Sequence, residues 1–160
     1  VASVRGIAAG GGFGLAVGAD VVVASETTRF NVATIDLGSM PDVGVPIQLV
    51  RTMGIKKAKQ YCLMGEVLGA QEALDFGLIN WVVPDGELET RTDAVARHLA
   101  GMPRPAVGFA KAALNECNTR SLADHLRHEA VDVGRCGAYP GYVQQVEAFH
   151  ARRTAKRKAG

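Results

Sequence analysis

Three consecutive glycines, Gly10-Gly11-Gly12, separate a β-branched run (VASVRGI, Val1–Ile7) from a small apolar segment (GFGLAVGA, Gly12–Ala19), and few folds accommodate that order. Glycine lets the chain turn sharply after a strand, and the small residues that follow read as a helix packed tightly on a sheet. Asp20–Ser25 (DVVVAS) reads as a second strand whose three successive valines leave no face for solvent. Strand, tight turn, buried helix and strand form a βαβ-type unit, which predicts a parallel sheet.

Beyond this unit the pattern is irregular from Phe30 to Val45, with Gly38, Pro41 and Gly44 as punctuation. A loop of this kind, set between a strand and a helix, is where an α/β enzyme tends to carry its chemistry. Pro46–Met53 and Lys56–Met64 read as two short helices divided by Gly54. Ala70–Phe76 reads as a third, stopped by Gly77 at the position just past its end. Leu78–Val83 is a strand ended by Pro84, which places an α/β body over residues 1–84 and a helical region over 85–160. In the helical region Leu88, Val95, Leu99 and Met102 recur at helical spacing as far as Pro103, and Ala106–Cys117 is a second helix. Ser121 with Asp124 resembles a capping box, heading a helix whose Leu122, Leu126, Ala130 and Val133 form one apolar stripe. Gly141–Arg153 is a last amphipathic helix. So much apolar stripe on so small a body predicts oligomerisation.

Composition narrows the function classes. With 48% hydrophobic and 21% charged residues in 160, the chain suits one folded domain and is neither disordered nor collagen-like. Five of its 18 basic residues (Arg152, Arg153, Lys156, Arg157 and Lys158) lie in the last nine positions. Without them 13 bases face 16 acids, so the body is mildly acidic and is not built to grip nucleic acid. Three cysteines (Cys62, Cys117, Cys136) without CxxC spacing give neither a disulfide framework nor a zinc ribbon, which suggests reduced thiols in a cytoplasmic protein. No apolar run is long enough for a membrane span, and no signal peptide is evident. The chain opens without Met in a strand-like run, which leads us to expect a preceding segment.

The chemistry-bearing residues each have two readings. GxGxxG spacing fails, landing on Leu15 from Gly10 and on Val17 from Gly12, so a dinucleotide site is not indicated. The triplet does offer unobstructed backbone N–H groups at a helix start, suited to an oxyanion such as a thioester enolate; its plain alternative is a tight turn with no ligand. Asp42, in Pro41-Asp42-Val43-Gly44, is either a general acid, base or nucleophile, or the N-cap of the next helix. His125, His128 and Glu129 share a helical face; opposite the apolar stripe, they read as a solvated surface rather than a metal site. No GxSxG elbow is present.

Three ordered blocks carry a family resemblance. Ile7–Ala16 with Gly18-Ala19-Asp20 forms the first. Phe30, Leu37-Gly38, Pro41–Gly44, Leu49-Val50-Arg51 and Gly54 form the second. The third is Leu63-Met64-Gly65, Ala70–Ala73, Gly77-Leu78-Ile79 and Val82-Val83-Pro84. Together they resemble the crotonase (enoyl-CoA hydratase/isomerase) superfamily. The resemblance implies the family's ββα spiral with a helical C-terminal oligomerisation region, of which this chain would be the C-terminal part. It implies trimers or dimers of trimers, and an acyl-CoA thioester as partner, with coenzyme A part of the substrate and no permanently bound cofactor. It makes Gly11 N–H one donor of an oxyanion hole, the other lying in an N-terminal segment. Gly10, Gly12, Gly14, Thr34 and Pro41 then surround the substrate, and Phe149 and Arg152 reach the coenzyme A of a neighbouring subunit. The family's hydratases use two glutamates; those positions here are Gly14 and Thr34, so ordinary hydration lacks its acid and base. Asp42 matches a functional aspartate of the family's hydroxyisobutyryl-CoA hydrolases and chlorobenzoyl-CoA dehalogenases. A non-catalytic acyl-CoA-binding member is the competing expectation.

Overall fold

Gly6 divides the opening β-branched run in two. At φ +73° it turns the chain between β1 (Ala2–Val4) and β2 (Ile7–Ala9), which enter different sheets. This computed structural model describes residues 1–159, without the side chains of 155, 156, 158 and 159; Lys156 and Lys158 of the basic tail therefore lie outside the described side chains. The next strand pair takes the same step: β3 (Val22–Ser25) runs parallel to β1, and β4 (Arg29–Asn31) runs parallel to β2. β6 (Trp81–Val83) completes one parallel sheet in the order β1-β3-β6. β5 (Val67–Gly69) joins β4 antiparallel, giving the order β2-β4-β5. The sequence predicts a single strand over Val1–Ile7 and an irregular stretch from Phe30. The structure differs because three-residue strands are too short to show an alternating pattern.

Thr28 pins the step between sheets. Its fully buried hydroxyl donates to the Val4 carbonyl at 2.9 Å and lies 3.1 Å from the buried Ser25 hydroxyl. Beside it the Arg29 N–H donates to the Gly6 carbonyl at 2.8 Å. The core gathers between the sheets and their helices. α1 (Gly11–Val17) turns Phe13 inward, its ring 5.2 Å from that of Phe30, with Val22, Val32, Leu49 and Leu68 in the same cluster. α2 (Val45–Met64) is interrupted at Gly54 (φ +77°, ψ 164°), in agreement with the division read from the sequence. The Tyr61 hydroxyl of α2 donates to Glu72 of α3 (Ala70–Asp75). Burial and this carboxylate push the Tyr61 phenol far above its ordinary range. Gly77 (φ +72°) closes α3 with its N–H on the Leu74 carbonyl and the Leu78 N–H on that of Ala73, both at 2.9 Å.

α4 (Leu88–Ala100) lays Leu88 and Val95 against Val23 of β3, forming a second small core. It therefore belongs with the body, and the first compact unit runs through Leu99. The unit from residue 100 onward contains α5 (Arg104–Glu116), α6 (Leu122–Gly137) and α7 (Tyr142–Ala159). Ser121 caps α6 as expected, its hydroxyl accepting from the Asp124 N–H at 3.2 Å. The facing of α6 requires a correction. Leu122 and Val133 are 74% and 71% exposed, whereas the His125 side chain is only 19% exposed, its Nε2 3.2 Å from the Glu129 carboxylate. On the same helix the Arg135 guanidinium lies 5.9 Å from the Phe109 ring of α5, while His128 and Glu129 are exposed as the sequence predicts. Periodicity shows where apolar side chains gather on a helix, not what covers them. Among the described residues no helix is long and apolar enough to cross a membrane, and no group of three or more metal-ligating side chains is assembled.

The step between the sheets gives a stability test. Thr28→Val keeps the volume but removes the buried hydroxyl that serves Val4, and should cost about 1–3 kcal/mol in urea unfolding. An unchanged unfolding midpoint would contradict the role given to Thr28.

Candidate functional site

Four glycines at the start of α1 fall into two kinds. Gly10 stands at φ +52° before the helix, its N–H on the Asn31 carbonyl at 3.0 Å, so its backbone demands glycine. Gly14 has no room for a side chain: a Cβ there would lie 2.6 Å from the Val43 Cβ and 2.7 Å from the Val43 carbonyl oxygen. Gly11 and Gly12 are under neither constraint. A Cβ on Gly11 would make an ordinary 3.7 Å contact with Val43, and one on Gly12 would meet nothing within 4 Å. Both lie in the first helical turn, where N–H groups have no acceptor one turn back. Gly12 also borders a groove of about 600 Å³ lined by Ser3, Ala8, Ala9 and Leu15 among others; Gly11 and Asp42 do not line it.

The Pro41–Gly44 loop lies against this turn through Val43. At φ +48° Val43 is a β-branched residue in the left-handed region, a conformation that costs about 1–3 kcal/mol. Its side chain sits on Gly14 and touches the Gly11 position. The alternative role of Asp42 as an N-cap is corrected here. The N-cap of α2 is Gly44 at φ +76°, with no side-chain cap bond, and only the Asp42 backbone carbonyl takes part, accepting from the Val45 N–H at 3.0 Å. The Asp42 side chain is exposed and has no described hydrogen bond or ion pair.

With this geometry in hand, known proteins can be compared. The sequence pattern of the enoyl-CoA hydratase/isomerase family matches residues 1–153. The chain belongs to that family. It is 36% identical over 154 residues to the 1,2-epoxyphenylacetyl-CoA isomerase of Escherichia coli K12, covering 96% of this chain and 59% of the relative. A solved enoyl-CoA hydratase subunit from Geobacillus kaustophilus superposes with a TM-score of 0.89 at 30% identity, over 94% of this chain and 58% of that one. A Thermobifida fusca putative enoyl-CoA hydratase solved in complex with CoA gives a TM-score of 0.78 at 32% identity, over 83% and 52%. The chain thus has the crotonase-like fold and spans less than two thirds of the length of these relatives.

Within the crotonase-like body, Thr34 stands beside Gly10: a Cβ on Gly10 would lie 3.5 Å from the Thr34 methyl. The Thr34 hydroxyl oxygen is buried and unpartnered among the described residues, as is the Asn31 Oδ1, whose amide nitrogen donates to the Gly65 carbonyl at 3.2 Å. Pro41 is half-buried ahead of Asp42. The two left-handed non-glycine residues described, Ala33 and Val43, immediately adjoin Thr34 and Asp42. Strain beside both nominated side chains is where functional sites concentrate it. Phe149 and Arg152 lie on α7, exposed, and are described only within the second unit. Sequence reading missed Asn31 and Val43. An irregular loop gives no sign of left-handed backbone at a valine, and Asn31 lies in a strand that the reading did not find.

Because Asp42 caps nothing, both Asp42→Asn and Asp42→Ala should leave stability within about 0.5 kcal/mol of wild type in urea unfolding. A loss near 1 kcal/mol confined to the alanine variant would restore the capping role.

Proposed function

We propose that the protein acts on an acyl-CoA thioester, stabilising its enolate with the Gly11 N–H and moving a proton with Asp42. The observation that carries this reading is that neither backbone conformation nor packing requires glycine at 11 or 12. A glycine gains the chain nothing in packing at these first-turn positions, and its bare backbone serves close approach by a ligand. When a base removes the proton beside a thioester carbonyl, negative charge moves onto the carbonyl oxygen. A preorganised N–H aimed at that oxygen contributes a few kcal/mol to the transition state.

The reaction proposed is isomerisation. Hydration needs a base and an acid held around one water, and Gly14 and Thr34 supply no carboxylate for either task. Moving a double bond needs one group that takes a proton from one carbon and returns it to another, which a single unencumbered carboxylate can perform. The likeness to a 1,2-epoxyphenylacetyl-CoA isomerase supports isomerisation of an acyl-CoA as the reaction class.

A panel of acyl-CoA thioesters incubated with the intact protein should show isomerisation, and Asp42→Asn should reduce it at least about a hundredfold with thioester affinity unchanged. Gly11→Ala should separate stability from activity: stability stays within about 0.5 kcal/mol of wild type or rises, while turnover falls at least about tenfold. Hydration in the panel, or full activity in either variant, would overturn the assignment.

We also propose a homo-oligomer, a trimer or a dimer of trimers. The exposed Leu114, Leu122, Leu126 and Val133 of the helical unit support it, since so much apolar surface is costly to leave in water. Sedimentation of the intact protein at micromolar concentration should show a species larger than monomer; monomer alone would contradict it.

A further inference from the structure

We infer that Val43 is a positioning residue: seated on the bare backbone of Gly14, it holds the Pro41–Gly44 loop against α1 and thereby fixes where Asp42 stands. The inference deepens the functional reading above and rests on it for the role of Asp42. Three observations lead to it. Val43 keeps a left-handed φ of 48° that a β-branched side chain resists, so its surroundings must impose that conformation. Half of Val43 is open to solvent, and its inner side meets Gly14, where a Cβ would come within 2.6 Å of the Val43 Cβ and 2.9 Å of its Cγ1. The only described hydrogen bond made by Asp42 is the 3.0 Å bond from the Val45 N–H to its backbone carbonyl, which cannot anchor the loop to α1. Val45, just past the loop, is buried in the core with Phe13 of α1, and within Pro41–Gly44 the valine side chain is the described contact with α1, with Asp42 its immediate neighbour.

The same contact leaves no room for a carboxylate at 14. While Val43 sits on Gly14, no side chain fits at 14, because the Val43 carbonyl oxygen as well as its side chain occupies the space. The seat of Val43 and a side chain at 14 are mutually exclusive in this arrangement.

Val43→Gly removes both the strain and the seat, whereas Val43→Thr keeps the branched Cβ and the seat. Hydrogen exchange of the Val45 amide reports on the loop without any substrate. It should accelerate at least about tenfold in Val43→Gly and stay near wild type in Val43→Thr. On any thioester the protein turns over, Val43→Gly should lower kcat at least about tenfold with KM within about twofold, and Val43→Thr should retain kcat. Gly14→Ala should accelerate the same amide as Val43→Gly does. Unchanged exchange in Val43→Gly overturns the inference whether or not any thioester is turned over, and so does faster exchange with unchanged kcat. A wild-type protein that turns over no thioester would remove the functional reading alone, and the exchange result would still decide the role of Val43.

Discussion

The contact between Val43 and the backbone of Gly14 is the constraint on which the geometry of the candidate site depends. Two segments far apart in sequence approach to backbone distance there because one of them has no side chain. Phe13, between the glycines, makes the approach directional. Its ring packs on Phe30 in the core and so turns the bare side of α1 outward. The chain is anchored there by Phe13, is covered by Val43 at Gly14 and is open at Gly12.

The energetics of the body and of the site run in opposite directions. Around Thr28 and Ser25 every buried hydroxyl has a partner, and the two sheets are joined by bonds of ordinary length. Around Gly10 the structure tolerates left-handed Ala33 and Val43, helix-destabilising glycines, and two buried polar atoms without described partners. Each of these costs free energy in the folded chain, and together they cluster around the start of α1. Backbone conformation explains Gly10 and packing explains Gly14, whereas neither accounts for Gly11 and Gly12.

Much of this was legible in the sequence, and the remainder was hidden for identifiable reasons. Gly54 and Gly77 announce helix boundaries because the departure from helical geometry is local to the glycine itself. Ser121 announces a cap for the same reason. The two-sheet step at Gly6 was missed because strands of three residues carry no periodic signal. The covering of His125 and the exposure of Leu122 and Val133 on α6 were not legible, because a stripe of leucines says nothing about which neighbour covers it. At the site, the glycine triplet and Asp42 were visible as residue types in a turn and a loop. Their connection through Val43 was not, since it is a contact across nearly thirty residues of sequence made by an otherwise ordinary valine.

The central claim is that this chain forms a thioester enolate with Gly11 as electrophilic donor and Asp42 as the proton carrier. Proton NMR of an acyl-CoA in deuterium oxide tests it most directly, because it follows exchange at the carbon beside the thioester carbonyl regardless of which product the enzyme releases. The account predicts deuterium incorporation at that carbon with the wild-type protein and none above background with Asp42→Asn. Incorporation at the wild-type rate in the Asp42→Asn variant would contradict it.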